Sequence, residues 1–229
     1  MSDHMAAIGF DLSSVEELEG LAYLAVEQGQ VVAGARGVSV VWSPLPGVEL
    51  WVAAEGERLA ACTPCFRGPR VQAAHPVDAL PHPECAVEGV WALTLDTLPD
   101  APLHVHMADF TRHDAPPPTA EIHLSAFVHT ARLWPDAARF ASDRDPAVHP
   151  PLPTLAAEGA PTDATARVTG TIQAIERLSN PAGRGQLYHM ALELGAVTID
   201  LVAATGAIRQ RPRVGGVLSA EVWLCGALA

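Results

Sequence analysis

From Ala164 to the C-terminus, apolar and polar residues alternate, and this period of two constrains the fold more than any other feature of the chain. Val168, Gly170 and Ile172 alternate with Thr169 and Thr171. Tyr188, Met190, Leu192 and Leu194 fall on one side of a second run, and Val197, Ile199 and Leu201 on one side of a third. A fourth run, Val217-Leu-Ser-Ala-Glu-Val-Trp-Leu224, completes the pattern. Successive side chains on a strand point to opposite faces, so these runs predict half-buried strands. Asn180-Pro-Ala-Gly183 supplies a turn, and Gly215-Gly216 restarts the backbone before the last strand.

Ahead of this region the signals are mixed. Ile8–Leu12 reads as a short strand, followed by a helix with Val15, Leu18, Leu21, Ala22 and Ala25 on one face. Ser13 is placed to cap it, with Glu16 completing a capping box, and Gly29 to stop it. Val31–Val41, Val48–Ala54 and Arg58–Ala61 read as strands. Residues 62–89 read as irregular, since Pro64, Pro69, Pro76, Pro81 and Pro83 interrupt them. Val90–Leu95 and Leu103–Phe110 read as strands, Glu121–His129 is open between strand and helix, and Pro135 is placed to start a short helix through Phe140.

These pieces carry three resemblances. The C-terminal runs resemble an OB-like small barrel. That implies a fifth strand, expected either from residues 203–213 or not at all, in an open barrel. The strand, helix, three-strand order of the front resembles vicinal-oxygen-chelate and glyoxalase-type modules. Short segments along the whole chain resemble a group of uncharacterised bacterial proteins: Gly9-Phe-Asp-Leu, Glu49-Leu-Trp-Val, Leu124-Ser-Ala-Phe-Val-His, Asn180-Pro-Ala-Gly, Asp200-Leu-Val-Ala, Gly215-Gly-Val and Trp223-Leu-Cys-Gly. That group usually has Asp-Pro where Ala204-Thr205 stands here, so the loop after the third strand is expected to differ. The resemblance implies a shared fold and no particular reaction.

Charge and composition narrow the function. The chain contains no lysine; all 14 basic residues are arginine. Lysine-dependent phosphate loops and Schiff-base chemistry are therefore excluded. Residues 1–163 carry 8 Arg against 22 acids, and residues 164–229 carry 6 Arg against 4 acids, within a net charge of −12. So acidic a body repels phosphate backbones and disfavours nucleic acid as a partner. The unequal charges also predict that the C-terminal module docks on its own front half. No apolar run reaches the ~20 residues of a membrane helix. With no secretory leader pattern, the four cysteines are expected as reduced thiols in the cytoplasm. Neither a Gly-x-Ser-x-Gly elbow nor a glycine-rich phosphate loop occurs.

Three constellations remain. His104 and His106 lie two apart on a strand, and Glu121 and His123 lie on a segment that can pair with it. Together they offer nitrogen and oxygen donors for zinc or iron. The competing reading is a half-solvated strand, with Leu103, Val105 and Met107 turned to the core. Cys62, Cys65, His82 and Cys85 have the spacing of a structural zinc site, against which stands the frequency of buried free cysteines. Arg209, Arg211 and Arg213, with Arg184 in the hairpin turn, would form an anion-binding patch if their loops share one end of the barrel.

The sequence thus predicts a β-rich α+β protein. An acidic front domain of βαβββ type spans 1–142, a Pro-rich linker or covering arm 143–163, and a small OB-like antiparallel barrel 164–229. The expected function is a non-catalytic binding or interaction protein of the cytoplasm, with a protein or small anionic ligand as partner. The alternatives are a metal-dependent enzyme of vicinal-oxygen-chelate type and single-stranded nucleic-acid or anion binding by the barrel. A homo-oligomer would form if Val217–Leu224 were an exposed barrel edge.

Overall fold

The structure is a computed structural model that describes residues 3–55 and 58–229. It is β-rich, with two sheets, three α-helices and two single-turn 3-10 helices among the described residues. None of these helices is long and apolar enough to cross a membrane. Helix α1 (Asp3–Ala7) leads through a bend to α2 (Val15–Gln28). Ile8–Leu12, expected as a strand, contributes only a bridge between Phe10 and Arg184. Ser14 rather than Ser13 caps α2: its side chain accepts the Glu17 amide, while the Ser13 amide and hydroxyl both donate to the Glu17 carboxylate. The capping pair is thus shifted by one residue from Ser13 and Glu16. Leu21, Ala22 and Ala25 are the buried face of this helix and Leu18 is half-buried, whereas Val15, expected on the same face, is exposed.

A four-stranded antiparallel meander follows: β1 (Gln30–Gly34), β2 (Gly37–Leu45), β3 (Val48–Glu55) and β4 (Arg58–Phe66). The run expected as a single strand over Val31–Val41 is a hairpin. Of the prolines of residues 62–89, Pro69 lies in the connection 67–71 and Pro83 in the turn at 83–84, but the other three stand on strands. Pro64 sits on β4, the outermost strand of the meander, where a missing amide costs no ladder bond. Pro76 and Pro81 sit at register shifts in β5 (Gln72–His82).

Three long strands continue from β5: β6 (Cys85–Leu95), β7 (Leu98–Met107) and β8 (Ala120–Trp134). Asp136 caps α3 (Ala137–Asp143), and β9 (Thr154–Glu158) turns part of the Pro-rich segment into a strand against β10 (Thr165–Ser179). The C-terminal runs form β10, β11 (Gln186–Leu194), β12 (Val197–Ala204) and β13 (Val217–Leu228).

The pairings close two rings that share one ribbon. In the first, β10, β11 and β12 form a meander, β12 runs parallel to β8, β8 antiparallel to β13, and β13 antiparallel to β10. In the second, β5, β6 and β7 form a meander, β7 runs parallel to β13, and β5 antiparallel to β8. The strand expected from residues 203–213 comes instead from β8, in the front segment. Each ring therefore borrows its fifth strand from the other half of the chain, and the two halves have the same strand diagram. Burial repeats too: Ile122, Leu124, Ala126 and Val128 of β8 face the same core as Leu218, Ala220, Val222 and Leu224 of β13. Because β13 is paired along both sides, Val217–Leu224 is not an exposed edge.

A second core lies outside the rings. There α1, α2 and the meander pack Phe10, Leu21, Trp42, Leu50 and Phe66 against Phe127, Val202 and Trp223 on the outer face of the shared sheet. The polar seam between front and module differs from the charge-based expectation. The cations come from the front: Arg70 pairs with buried Asp200 at 2.6 Å, and Arg67 donates to the Leu228 carbonyl at 2.9 Å. His189 also bonds Asp200, at 2.7 Å. A Cβ at Gly68 would overlap the Asp200 carboxylate, so glycine lets the loop approach that closely.

Candidate functional site

The four histidine-site residues do not converge. His104 and His106 do share a face of β7, opposite buried Leu103, Val105 and Met107, but that face is not simply solvated, since His106 Nε2 is buried and its ring packs on Trp223. But β13 runs between β7 and β8, and His106 is registered with Cys225 on it. On β8, Glu121 is exposed, while His123 Nδ1 is bound to the Gly68 carbonyl at 2.9 Å. The cysteine set is likewise dispersed. Cys62 lies near Glu88, and burial first, then that carboxylate, pushes its thiol up to about 12. Cys65 is fully buried, and its thiol is raised by its hydrogen bond with Cys225 and by burial. Cys85 Sγ donates to the Ala60 carbonyl at 3.6 Å, and His82 is exposed. All four cysteines are unbridged. Among the described residues, no three His, Cys, Asp or Glu side chains are grouped as a metal ion requires.

The arginines are brought together, but not in the set that was expected. Arg211 and Arg213 line a cavity of about 480 Å³ with Arg132 and Arg139. Arg209 lies outside it, and Arg184 is in a left-handed turn beside Phe10. The sequence alone gave no hint of Arg132 or Arg139, which join Arg211 and Arg213 only through the pairing of β8 with β13.

Each wall of this cavity is fixed by the fold. Trp134 and Leu133 at the end of β8 are registered with Val217 and Leu218 at the start of β13. The loop before β13 is tied down by Gly215 N to the Ile172 carbonyl at 2.8 Å and by Gly216 N to the Arg213 carbonyl at 3.1 Å. Buried Pro212 holds the backbone between the two arginines. Trp134 packs edge-on against Phe140 at 4.9 Å, which holds α3, the helix that carries Arg139. The Arg132 guanidinium lies 4.9 Å over the Trp134 ring. The indole Nε1 of Trp134 is buried without a hydrogen-bond partner.

Electrostatically the cavity stands apart from the rest of this acidic chain. Among the described residues its only carboxylate is Asp143, already paired with Arg139 at 2.6 Å. Among the described residues, no carboxylate lies within ion-pair distance of Arg211 or Arg213. Arg132 also borders a second, smaller cavity that it shares with His149 and Arg167. Burial first, and then the Arg132 charge, holds His149 below the usual imidazole range. Four guanidinium groups around one cavity provide forked donors for phosphate or carboxylate oxygens. They supply no nucleophile and no general base. Comparison of the chain with protein-family models, with curated proteins and with solved structures found no match.

Proposed function

We propose that the chain is a non-catalytic binding protein built on two OB-like barrels that share strands, and that its arginine-lined cavity takes a small polyanion bearing phosphate or carboxylate groups. The carrying observation is the convergence of Arg132, Arg139, Arg211 and Arg213 on one cavity with a single, already paired carboxylate. The OB-like reading rests on the closed rings, each a three-strand meander completed by two further strands, one of them parallel to the meander's third. A volume of about 480 Å³ falls in the range of small-molecule sites.

The other readings have less support. A vicinal-oxygen-chelate enzyme would need His104, His106, Glu121 and His123 around one ion, and they lie on strands that β13 separates. Single-stranded nucleic acid would need aromatic faces open to bases. Of the two aromatics the module offers, Trp223 is only 6% exposed and Tyr188 packs on the core.

Thermal unfolding in rising inorganic pyrophosphate tests the proposal, with sodium chloride at matched ionic strength as the control. The expected result is a rise in Tm with pyrophosphate that chloride does not reproduce and that the double variant Arg211→Ala/Arg213→Ala loses. Equal responses to the two salts would overturn it. Bound anion also cancels the Arg132 field at His149, so that imidazole should titrate at higher pH with pyrophosphate present.

A further inference from the structure

A different cavity, of about 420 Å³, lies where α1 and the start of α2 meet β4, β6, β7 and β13. Its charge is opposite to that of the arginine site. Glu88 and Asp11 are on its wall, and neither arginine nor lysine is. His106 does not reverse the sign: burial, then the neighbouring His4 and His82, lowers it to about 4, so this imidazole is neutral at physiological pH. Neither does Cys62, whose thiol stays protonated.

Part of the wall is apolar. Trp223 is stacked on His4 at 4.1 Å and packs beside His106 at 5.0 Å, with Phe10, Leu12 and Pro64 facing the same space. Two polar groups in the wall have hydrogen-bonding capacity to spare. His106 Nε2 is buried without a partner among the described residues. Glu88 accepts one bond, from the Thr63 hydroxyl at 3.0 Å, and a carboxylate accepts several.

We propose that this cavity is a second ligand site, selective for a small organic cation: an amine or amidine carried on a small apolar body. Glu88 receives the cationic donors, the half-buried Leu12 and Leu18 side holds the apolar body, and the neutral His106 leaves the negative charge undiluted. A charge-assisted bond to Glu88 predicts a preference of roughly tenfold or more for the cation over a neutral isostere.

The test uses benzamidine, its neutral isostere benzamide and the anion benzoate, titrated into the full-length protein by calorimetry with tryptophan fluorescence in parallel. Benzamidine should bind at least tenfold more tightly than either of the others. Glu88→Gln should abolish that preference while leaving the response to pyrophosphate intact, which keeps this site's result separate from that of the arginine cavity. Circular dichroism checks that the variant is folded; if it is not, the three-probe comparison on the wild type decides alone. Equal affinities for benzamidine and benzamide, no binding of benzamidine up to about 10 mM, or an unchanged preference in folded Glu88→Gln would overturn the proposal.

Discussion

Lowering the pH from about 7.5 to about 4 should destabilise this fold through one imidazole, His106. Its folded-state value is about 4 against an ordinary 6.5. The depressed group binds its proton less readily folded than unfolded, so the unfolded chain takes up more protons between those two values. Stability therefore falls as pH drops through that window. Above it both states are neutral and there is no effect; below it the full penalty has been taken. The gap corresponds to about 3 kcal/mol, a large share of the roughly 5–15 kcal/mol that holds a domain together. Surroundings explain why the charged form is so disfavoured: Nε2 is buried without an acceptor, His4 and His82 add like charge if protonated, and Trp223 packs against the ring. The assay is urea unfolding at half-unit pH intervals for the wild type and His106→Gln. The difference in unfolding free energy between them should change by about 3 kcal/mol across the window, favouring the variant at the acid end. Two parallel curves would refute the reasoning.

Two further outcomes follow from the fold. Asp200 is buried and bonded by both Arg70 and His189, so Asp200→Ala should cost about 3 kcal/mol in urea unfolding; a loss below about 1 kcal/mol would mean that the seam does not hold the front to the module. Because β8 and β13 each complete the other half's ring, a chain cut within residues 144–153 should yield fragments that lack cooperative unfolding alone and regain it when refolded together; a fragment that unfolds cooperatively by itself would contradict the shared closure.

Local patterns in the sequence disclosed local structure. The apolar face of α2 and the alternation of β10 to β13 were legible because their partners lie within a few turns or one hairpin. What failed did so for identifiable reasons. Prolines marked residues 62–89 as irregular, yet an outer strand and two register shifts accommodate Pro64, Pro76 and Pro81, and only Pro69 and Pro83 fall in connections. Adjacent serines shifted the cap of α2 by one residue: Ser14 accepts the Glu17 amide, while Ser13 donates to the Glu17 carboxylate. The closure by β8 leaves no local sign, since its alternating apolar residues look like those of any half-buried strand. For the same reason the repeated architecture is hidden: Ile122, Leu124, Ala126 and Val128 share with Leu218, Ala220, Val222 and Leu224 a burial pattern but few identities. The arginine cavity was half legible. Arg211 and Arg213 stood out as a cluster, whereas Arg132 and Arg139 reach it only through long-range pairing. Metal-like spacings misled because Cys62 and Cys65 lie on a strand, where an interval of three residues turns the two side chains to opposite faces.

The central claim concerns the four guanidinium groups, and calorimetric titration of inorganic pyrophosphate into the wild type and Arg211→Ala/Arg213→Ala tests it most directly. Two lost charge-assisted contacts correspond to about 3 kcal/mol, so the double variant should bind roughly a hundredfold more weakly at the same salt concentration. Equal affinity in the two proteins, or no heat of binding in the wild type, would contradict it.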